Sequence, residues 1–226
     1  MTGRTGGTGQ SATTLLVIAK EPLPGRVKTR LTPPFSPAGA ASLAEAALAD
    51  TLDVVARTPA ARRVLVLDGR PGPWLPAGFE VVAQCAGTLD ERLAAAFAGC
   101  AGPALLIGMD TPQVTPELLA RASGPRAWAT YDAWFGPALD GGFWALGLAV
   151  PDPRLLRGVP MSVPGTGAAQ YERLRTAGLR VGLLPELRDV DDAEDARLVA
   201  AAAPRGRFAA AHEELTATTP APAVRR

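Results

Sequence analysis

The sequence predicts an α/β fold, a three-layer α/β/α sandwich built on a mostly parallel sheet. Short continuous apolar runs, typical of strands buried on both faces of a parallel sheet, alternate with segments whose apolar residues have helical spacing. Between two later runs, residues 136–142 resemble a hairpin connection, GPALDGG, which predicts one antiparallel strand late in the order. At 226 residues the chain suits a single compact domain with extensions.

Composition excludes several classes of function. Lysine and arginine (23) nearly balance aspartate and glutamate (22), so nothing indicates a nucleic acid or an acidic membrane as partner. Two cysteines, Cys85 and Cys100, are too few for a disulfide framework or a zinc site. The only histidine is His212, near the end of the chain, which argues against histidine catalysis and histidine metal ligation.

The chain ends are predicted to lie outside the domain. Residues 1–12 are rich in Gly and Thr and lack the apolar region of a signal peptide, so we expect a disordered leader. Residues 13–203 form the predicted domain, and residues 204–226 a loosely ordered tail with one or two helical turns over 208–215. No apolar run approaches the roughly 20 residues that span a bilayer, and a cytoplasmic protein is expected.

The predicted elements follow in chain order. Ser36 and Pro37 have the residue types of a helix start, and Thr88 with Glu91 forms a capping-box pattern. Thr115-Pro116 starts a third helix. The predicted strands are 15–18, 63–67, 79–83, 104–107, 128–135, 143–148 and 181–184; the predicted helices are 37–57, 88–97, one from 116, 168–177 and one from the acidic residues 189–195 to about 203.

A basic loop follows the first strand and suggests a function. Pro22, Pro24 and Gly25 keep it irregular, and its charged residues within eleven positions are Lys20, Glu21, Arg26, Lys28 and Arg30. Many α/β proteins bind a phosphate at the carboxyl edge of the sheet with a strand that is followed by a glycine-bearing loop and then a helix. We therefore interpret Lys28 and Arg30 as phosphate ligands, helped by Lys20, Gly25 and Arg26.

Two familiar nucleotide motifs do not match this loop. Val27 stands where a P-loop has the glycine before its lysine, and no G-x-G-x-x-G follows the strand. The alternative that the loop is merely an exposed basic segment stays open at this point.

Two aspartates are candidate catalytic residues and metal ligands. Asp110 directly follows the buried strand 104–107, at the edge where such sheets bind ligands, and a carboxylate suits a divalent cation bridging phosphates. Asp140 precedes Gly141 and Gly142, which let the backbone approach a substrate closely. The structural alternatives are a turn or cap for Asp110 and a plain Asp-Gly turn for Asp140.

Four stretches resemble a bacterial family of GT-A-like proteins known as a domain of unknown function and labelled glycosyltransferase-like. They are AKEPLPGRVKTRL from Ala19, GMDTP from Gly108, GPALDGGF from Gly136 and DVDDAED from Asp189. The likeness spans residues 15 to 203. At residues 161–163 the sequence differs from the family pattern, because Met-Ser-Val stands where the family usually has Trp-Ser-Thr. This difference leaves the role of Ser162 open. The family is distantly similar to nucleotidyltransferases of molybdenum-cofactor and deazaflavin-cofactor type.

The resemblance implies a GT-A fold (nucleotide-diphosphosugar transferase type) and a transferase activity. Asp110 would match the acidic metal motif of GT-A enzymes, with Mg²⁺ or Mn²⁺ bound by Asp110 and Asp140. The leading expectation is glycosyl transfer from a nucleotide sugar to a small acceptor. Nucleotidyl transfer with release of pyrophosphate, and a non-catalytic nucleotide-binding protein, are the alternatives. The acidic run from Asp189 is expected mainly to cap a helix, although Asp191 is within conceivable reach of the site. The sequence leaves the base, the sugar, the acceptor and the oligomeric state open.

Overall fold

A seven-stranded sheet forms the middle layer of the computed structural model, which describes residues 11–218. The strands are β1 Thr14–Lys20, β2 Arg62–Asp68, β3 Glu80–Ala83, β4 Ala104–Gly108, β5 Ala133–Pro137, β6 Phe143–Leu148 and β7 Val181–Leu183. Their order is β3-β2-β1-β4-β6-β5-β7. Only β6 is antiparallel to its neighbours, β4 and β5. The predicted mostly parallel sheet with one antiparallel strand is confirmed.

Helices cover both faces of the sheet. They are α1 Pro37–Arg57, α2 Leu89–Ala98, α3 Pro116–Ser123, α4 Ala127–Thr130, α5 Thr166–Thr176, α6 Ala193–Ala202 and α7 Arg207–Thr218. Side chains of β1 alternate between the faces: Leu15 and Val17 pack with α1 and α3, and Leu16 packs with α2 and α5. This gives the predicted α/β/α sandwich. Within residues 11–218, no helix combines the length and apolar character that crossing a membrane requires.

The predicted helix starts have the expected capping contacts. Ser36 accepts a hydrogen bond from the Gly39 backbone N–H (3.1 Å), and α1 begins at Pro37. Thr88 and Glu91 form the capping box of α2, and Thr115 caps α3. Local sequence therefore determines where these three helices begin.

The strand predicted over residues 128–135 is wrong in its first half. Residues 127–130 form α4, and β5 starts only at Ala133. The indole N–H of Trp128 donates to the Thr13 hydroxyl (2.8 Å), and that of Trp134 donates to the Ala127 carbonyl (3.2 Å). These tertiary hydrogen bonds favour a helical turn over residues 127–130. The spacing of the aromatic residues alone does not distinguish such a turn from a strand.

The tail prediction, a loosely ordered segment with one or two helical turns over 208–215, underestimates the order of the residues that the structure describes. Residues 207–218 form α7, which packs on α1 and α6 and buries Phe208 at 1% exposure. The carboxylate of Asp50 in α1 accepts the backbone N–H groups of Arg207 (3.0 Å) and Phe208 (2.9 Å), and thus caps α7. A cap supplied by another helix leaves no signature near the tail itself.

Most of the predicted leader, residues 1–10, lies outside the described part of the chain. Ser11, placed in the leader by the prediction, is buried, and its hydroxyl donates to the Ser123 carbonyl. Thr13 donates to the same oxygen (3.0 Å). Ser11 is therefore part of the packed domain. Residues 219–226 of the predicted tail also lie outside the described residues.

Packing of α7 gives a stability prediction. Phe208→Ala removes a fully buried ring and should lower the free energy of unfolding by roughly 3 kcal/mol or more. Val150→Ala, at a side chain that is 79% exposed, should change it by no more than about 0.5 kcal/mol. Urea unfolding followed by circular dichroism measures both. Equal stability of the two variants would show that α7 is not part of the cooperative domain.

Candidate functional site

The basic loop and Asp110 meet because their strands are parallel neighbours. In the register of β1 and β4, Ile18 lies beside Gly108, so the chain leaves both strands at the same edge of the sheet. The loop after β1 carries Lys28, and Asp110 follows β4 by two residues. This is the carboxyl edge, where open α/β sheets bind ligands.

Lys28 is the cation at the centre of the site. Its ammonium Nζ lies 2.8 Å from Oδ2 of Asp110 and 3.4 Å from Oδ1 of Asp191, and only 11% of its side chain is exposed. Burial acts to lower the pKa of Lys28, but the two carboxylates outweigh it and raise the pKa above its ordinary value. Lys28 is therefore charged and joins two acidic segments of the chain.

The other predicted phosphate ligands are more accessible. Arg30 donates to Oδ2 of Asp191 (3.2 Å) while 77% of its side chain is exposed, so the guanidinium is free to turn toward a ligand at little cost. Lys20 and Arg26 are exposed, and Gly25 has φ +73°, which lets the loop turn back toward the sheet edge. All five predicted residues lie in the stretch from the last residue of β1 to the helical turn Thr29–Leu31; their phosphate role stays a prediction.

Asp110 has one carboxylate oxygen without a protein partner. Oδ2 contacts Lys28, whereas Oδ1 is buried and has no hydrogen bond. An unsatisfied buried carboxylate oxygen costs free energy, and a bound cation or an ordered water would supply the missing contact. The orphaned oxygen is the feature expected of a metal ligand.

The backbone after Asp110 holds a second acidic segment in place. The Asp110 carbonyl accepts the backbone N–H of Val190 (3.0 Å), and the Gln113 side-chain amide donates to the Arg188 carbonyl. Val190 packs in the core between α1 and α6, while Asp189 and Asp191 on either side of it are only half-buried. Both carboxylates are thereby directed toward the site.

Asp140 joins these two acids because of strand register. After the ends of β5 and β7, Ala138 forms a parallel bridge with Leu187. Asp140 and Asp189 each follow these residues by two positions, so they lie beside one another. Asp140, Asp189 and Asp191 each offer an oxygen, and the three atoms lie within 4.8 Å of one another. Burial, and next the charge of Asp140, raises the pKa of Asp189 to about 6.

The turn that carries Asp140 is held tightly. Oδ1 of Asp140 accepts the Gly142 backbone N–H (2.7 Å), and Gly141 has φ +87°. The start of α5 packs on this turn so closely that a Cβ on Gly167 would lie 2.3 Å from the Gly142 carbonyl oxygen. These contacts fix Asp140 relative to the sheet edge, while Oδ2 makes no hydrogen bond that would occupy it among those of the described chain.

The structure places the two predicted metal ligands in neighbouring groups, and their metal role stays a prediction. Asp140 groups with Asp189 and Asp191, and the Lys28 ammonium, which contacts Asp110 and Asp191, links Asp110 to this group. The expectation that the acidic run mainly caps a helix holds only for its later residues. Asp192 caps α6 in a capping box with Asp195, whereas Asp189 and Asp191 lie in the site. In the sequence, the alternation of Asp189 and Asp191 with the apolar Val190 was the pattern that could have indicated that both carboxylates lie on the same side as the site.

A family model covers the middle of the chain. Residues 42–163 match the family DUF2064, described as an uncharacterized protein conserved in bacteria. The chain belongs to this family. The DUF2064 match includes Asp110 and Asp140, and leaves the basic loop and the acidic segment around Val190 outside it. No curated protein matches the sequence.

Solved structures show the same fold. A protein from Desulfovibrio desulfuricans G20, provisionally described as a nucleotide-diphospho-sugar transferase, has a TM-score of 0.81 and 28% identity, covering 92% of this chain and 96% of that one. Rv0371c from Mycobacterium tuberculosis H37Rv, solved with manganese, has a TM-score of 0.52 and 20% identity, covering 84% and 98%. CMP:2-keto-3-deoxy-manno-octonic acid synthetase with CTP has a TM-score of 0.54 and 12% identity, covering 86% and 99%. The fold is of nucleotide-diphosphosugar transferase type, as predicted.

The raised pKa of Asp189 gives a test by pH. A carboxyl whose pKa is higher in the folded state than its usual 3.8 binds more protons when folded, so its contribution to stability falls as pH rises toward and past 6. Asp189→Asn should therefore raise the melting temperature of the metal-free protein at pH 7.5, and the gain should vanish near pH 4. Thermal unfolding across this range measures it. Asp132→Asn, at a carboxyl whose pKa is lowered by Arg180 to about 2, should instead destabilise at pH 7.5. A gain for Asp189→Asn that is equally large at both pH values would contradict the pKa assignment.

Proposed function

We propose that the protein is a metal-dependent transferase that uses a nucleotide-activated substrate and transfers a glycosyl group from a nucleotide sugar to a small acceptor. The observation that carries the proposal is the cluster at the carboxyl edge, where Lys28 and Arg30 lie against Asp110 and Asp191. Cations and clustered carboxylates side by side suit a ligand made of phosphates and a metal ion. The D. desulfuricans protein, similar over nearly its whole length, supports the same substrate class.

The cationic loop would bind the diphosphate. Lys28 and Arg30 are close enough to share Asp191, so they can contact neighbouring phosphate oxygens. Arg30 can approach in a bidentate manner, and Lys28 acts as a point charge. Both would stabilise the negative charge that develops on the leaving nucleoside diphosphate.

The carboxylates would hold Mg²⁺ or Mn²⁺. Asp110 offers a buried oxygen without a partner, and Asp140, Asp189 and Asp191 offer three more oxygens within 4.8 Å of one another. Such hard oxygen ligands fit either ion, and the manganese in the Rv0371c crystal structure supports a divalent cation on this fold. When bound, the metal would supply Lewis-acid neutralisation of the diphosphate. Asp140, at the exposed turn with Gly141 and Gly142, would orient the acceptor.

Nucleotidyl transfer is the second candidate. Four cationic side chains between residues 20 and 30 are sufficient to bind a triphosphate as well as a diphosphate. Product analysis separates the candidates: after incubation with Mn²⁺, glycosyl transfer releases a nucleoside diphosphate and nucleotidyl transfer releases pyrophosphate. Nucleotide binding with no product of either kind would leave a non-catalytic nucleotide-binding protein. A cytoplasmic location stays a prediction.

Loss of the Asp110 charge should abolish metal-dependent binding. Asp110→Asn keeps the side-chain shape, and we expect the affinity for a nucleoside diphosphate in the presence of Mn²⁺ to fall to the metal-free level in isothermal titration calorimetry. Asp132→Asn makes the same chemical change at a partly exposed aspartate that pairs with Arg180, and should bind normally. Metal-dependent affinity retained by Asp110→Asn would remove Asp110 from the metal site.

Loss of the Arg30 guanidinium should weaken nucleotide binding without affecting the fold. Arg30→Ala should lower the affinity roughly ten- to hundredfold, since a hydrogen bond to a charged group contributes about 1.5–3 kcal/mol. Arg30→Lys should also bind worse, because an ammonium does not reproduce a bidentate contact. Arg154→Ala, at an exposed arginine paired with Asp152, is the matched control. Unchanged affinity in both Arg30 variants would place the phosphate elsewhere.

A further inference from the structure

The chain uses lysine in an unusual way. Of its 23 cationic side chains, 21 are arginines, and the only two lysines are Lys20 and Lys28 of the basic loop. Lys20 is exposed, whereas Lys28 is almost fully buried between two carboxylates. A buried lysine in a chain that otherwise uses arginine indicates that the site requires a small cation there.

The surroundings of Lys28 resemble those of a metal ion. Its ammonium contacts carboxylate oxygens from two separate segments, Asp110 at 2.8 Å and Asp191 at 3.4 Å. Asp191 also belongs to the group of three carboxylates, and Asp110 keeps a second, buried oxygen without a partner. The ammonium thus balances only part of the acidic charge gathered around it.

We propose that the Lys28 ammonium is the resident counter-ion of the metal site and is exchanged for the divalent cation. On this proposal, which rests on the proposed function, Asp110 and Asp191 would hold the Mn²⁺ in place of the ammonium, and Lys28 would turn outward to the nucleotide phosphates. Lys28 therefore has two alternative anionic partners, the carboxylates in the free protein and the phosphate in the complex.

Lys28 and a metal ion would compete for the same carboxylates. An ammonium 2.8 Å from an Asp110 oxygen opposes binding of a divalent cation by that carboxylate at the roughly 2.0–2.6 Å of Mg²⁺ or Ca²⁺ coordination, because the two cations repel at short range. A cation that has left the carboxylates needs another anion, which a phosphate provides. Metal and nucleotide binding should then promote each other, and such coupling is reciprocal by thermodynamic necessity.

Lysine suits this exchange better than arginine would. Its ammonium is a compact point charge on a flexible stem with three donors, so it fits between two carboxylates and can swing to a new partner. Lys28 adopts φ +47°, in the left-handed region, at the start of the short helical turn Thr29–Leu31. The flexible stem lets the charge move while this backbone stays in place.

The first experiment measures Mn²⁺ affinity in the absence of nucleotide by isothermal titration calorimetry. Lys28→Met removes the competing charge and keeps the length of the stem, so it should bind Mn²⁺ about tenfold more tightly than the wild type. Arg30→Met removes a positive charge from the same Asp191 but on its exposed side, and Lys20→Met removes one that contacts neither carboxylate; both should cause a clearly smaller change. Equal or weaker Mn²⁺ binding by Lys28→Met would overturn the proposal, as would an equal gain in all three variants.

The second experiment uses the wild-type protein and therefore does not depend on the stability of a variant. Acetic anhydride labelling followed by mass spectrometry reports on the two lysines separately. Mn²⁺ alone should raise the reactivity of Lys28 severalfold while Lys20 stays constant, and added nucleoside diphosphate should protect Lys28 again. Mn²⁺ that binds but leaves Lys28 labelling unchanged or lower would overturn the exchange and leave the metal-dependent transferase intact. Failure to bind both Mn²⁺ and nucleotide would overturn the proposed function and the exchange together.

Discussion

Parallel pairing of β1 with β4 is the constraint on which the rest of the site depends. It brings the loop after β1 and the segment after β4 to one edge of the sheet, so Lys28 and Asp110 meet although 82 positions separate them in the chain. The hydrogen bond from the Val190 N–H to the Asp110 carbonyl then attaches the segment before α6 to that edge. The bridge between Ala138 and Leu187 adds the turn that carries Asp140. Backbone pairing thus brings the segments that carry the four carboxylates to the same edge of the sheet.

Converging carboxylates repel one another, and the protein compensates locally. The chain has a formal net charge of only +1, yet this edge concentrates aspartates from three separate segments. Lys28 and Arg30 offset part of the repulsion, and the pKa of Asp189 rises to about 6, since burial and neighbouring acids both favour its neutral form. A folded domain that tolerates such crowding retains it at a cost in stability, which is typical of functional sites.

Local signals and long-range pairing explain what the sequence could and could not predict. Helix starts at Ser36, Thr88 and Thr115 were predictable because a cap and its partner lie within three residues. The mostly parallel sheet and its single antiparallel strand were predictable from the alternation of elements and from the GPALDGG connection, whereas the strand order was not predicted. In contrast, Asp189 was assigned to capping because its neighbour Asp140 is brought close only by the register of β5 and the segment after β7. The length and packing of helix α7 were underestimated for the same reason, since Asp50 caps it from α1.

The close packing of α5 on the Asp140 turn has a consequence for how the molecule could respond to its ligands. Gly167 lies so near the Gly141 and Gly142 carbonyls that no side chain fits between them, and its own N–H donates to the Gly141 carbonyl (2.8 Å). The turn and the first residues of the helix must therefore move as a unit. Any molecule that displaces α5 would also displace the Asp140 carboxylate. The distances between the carboxylate oxygens available to a cation at the sheet edge would then change with the position of this helix.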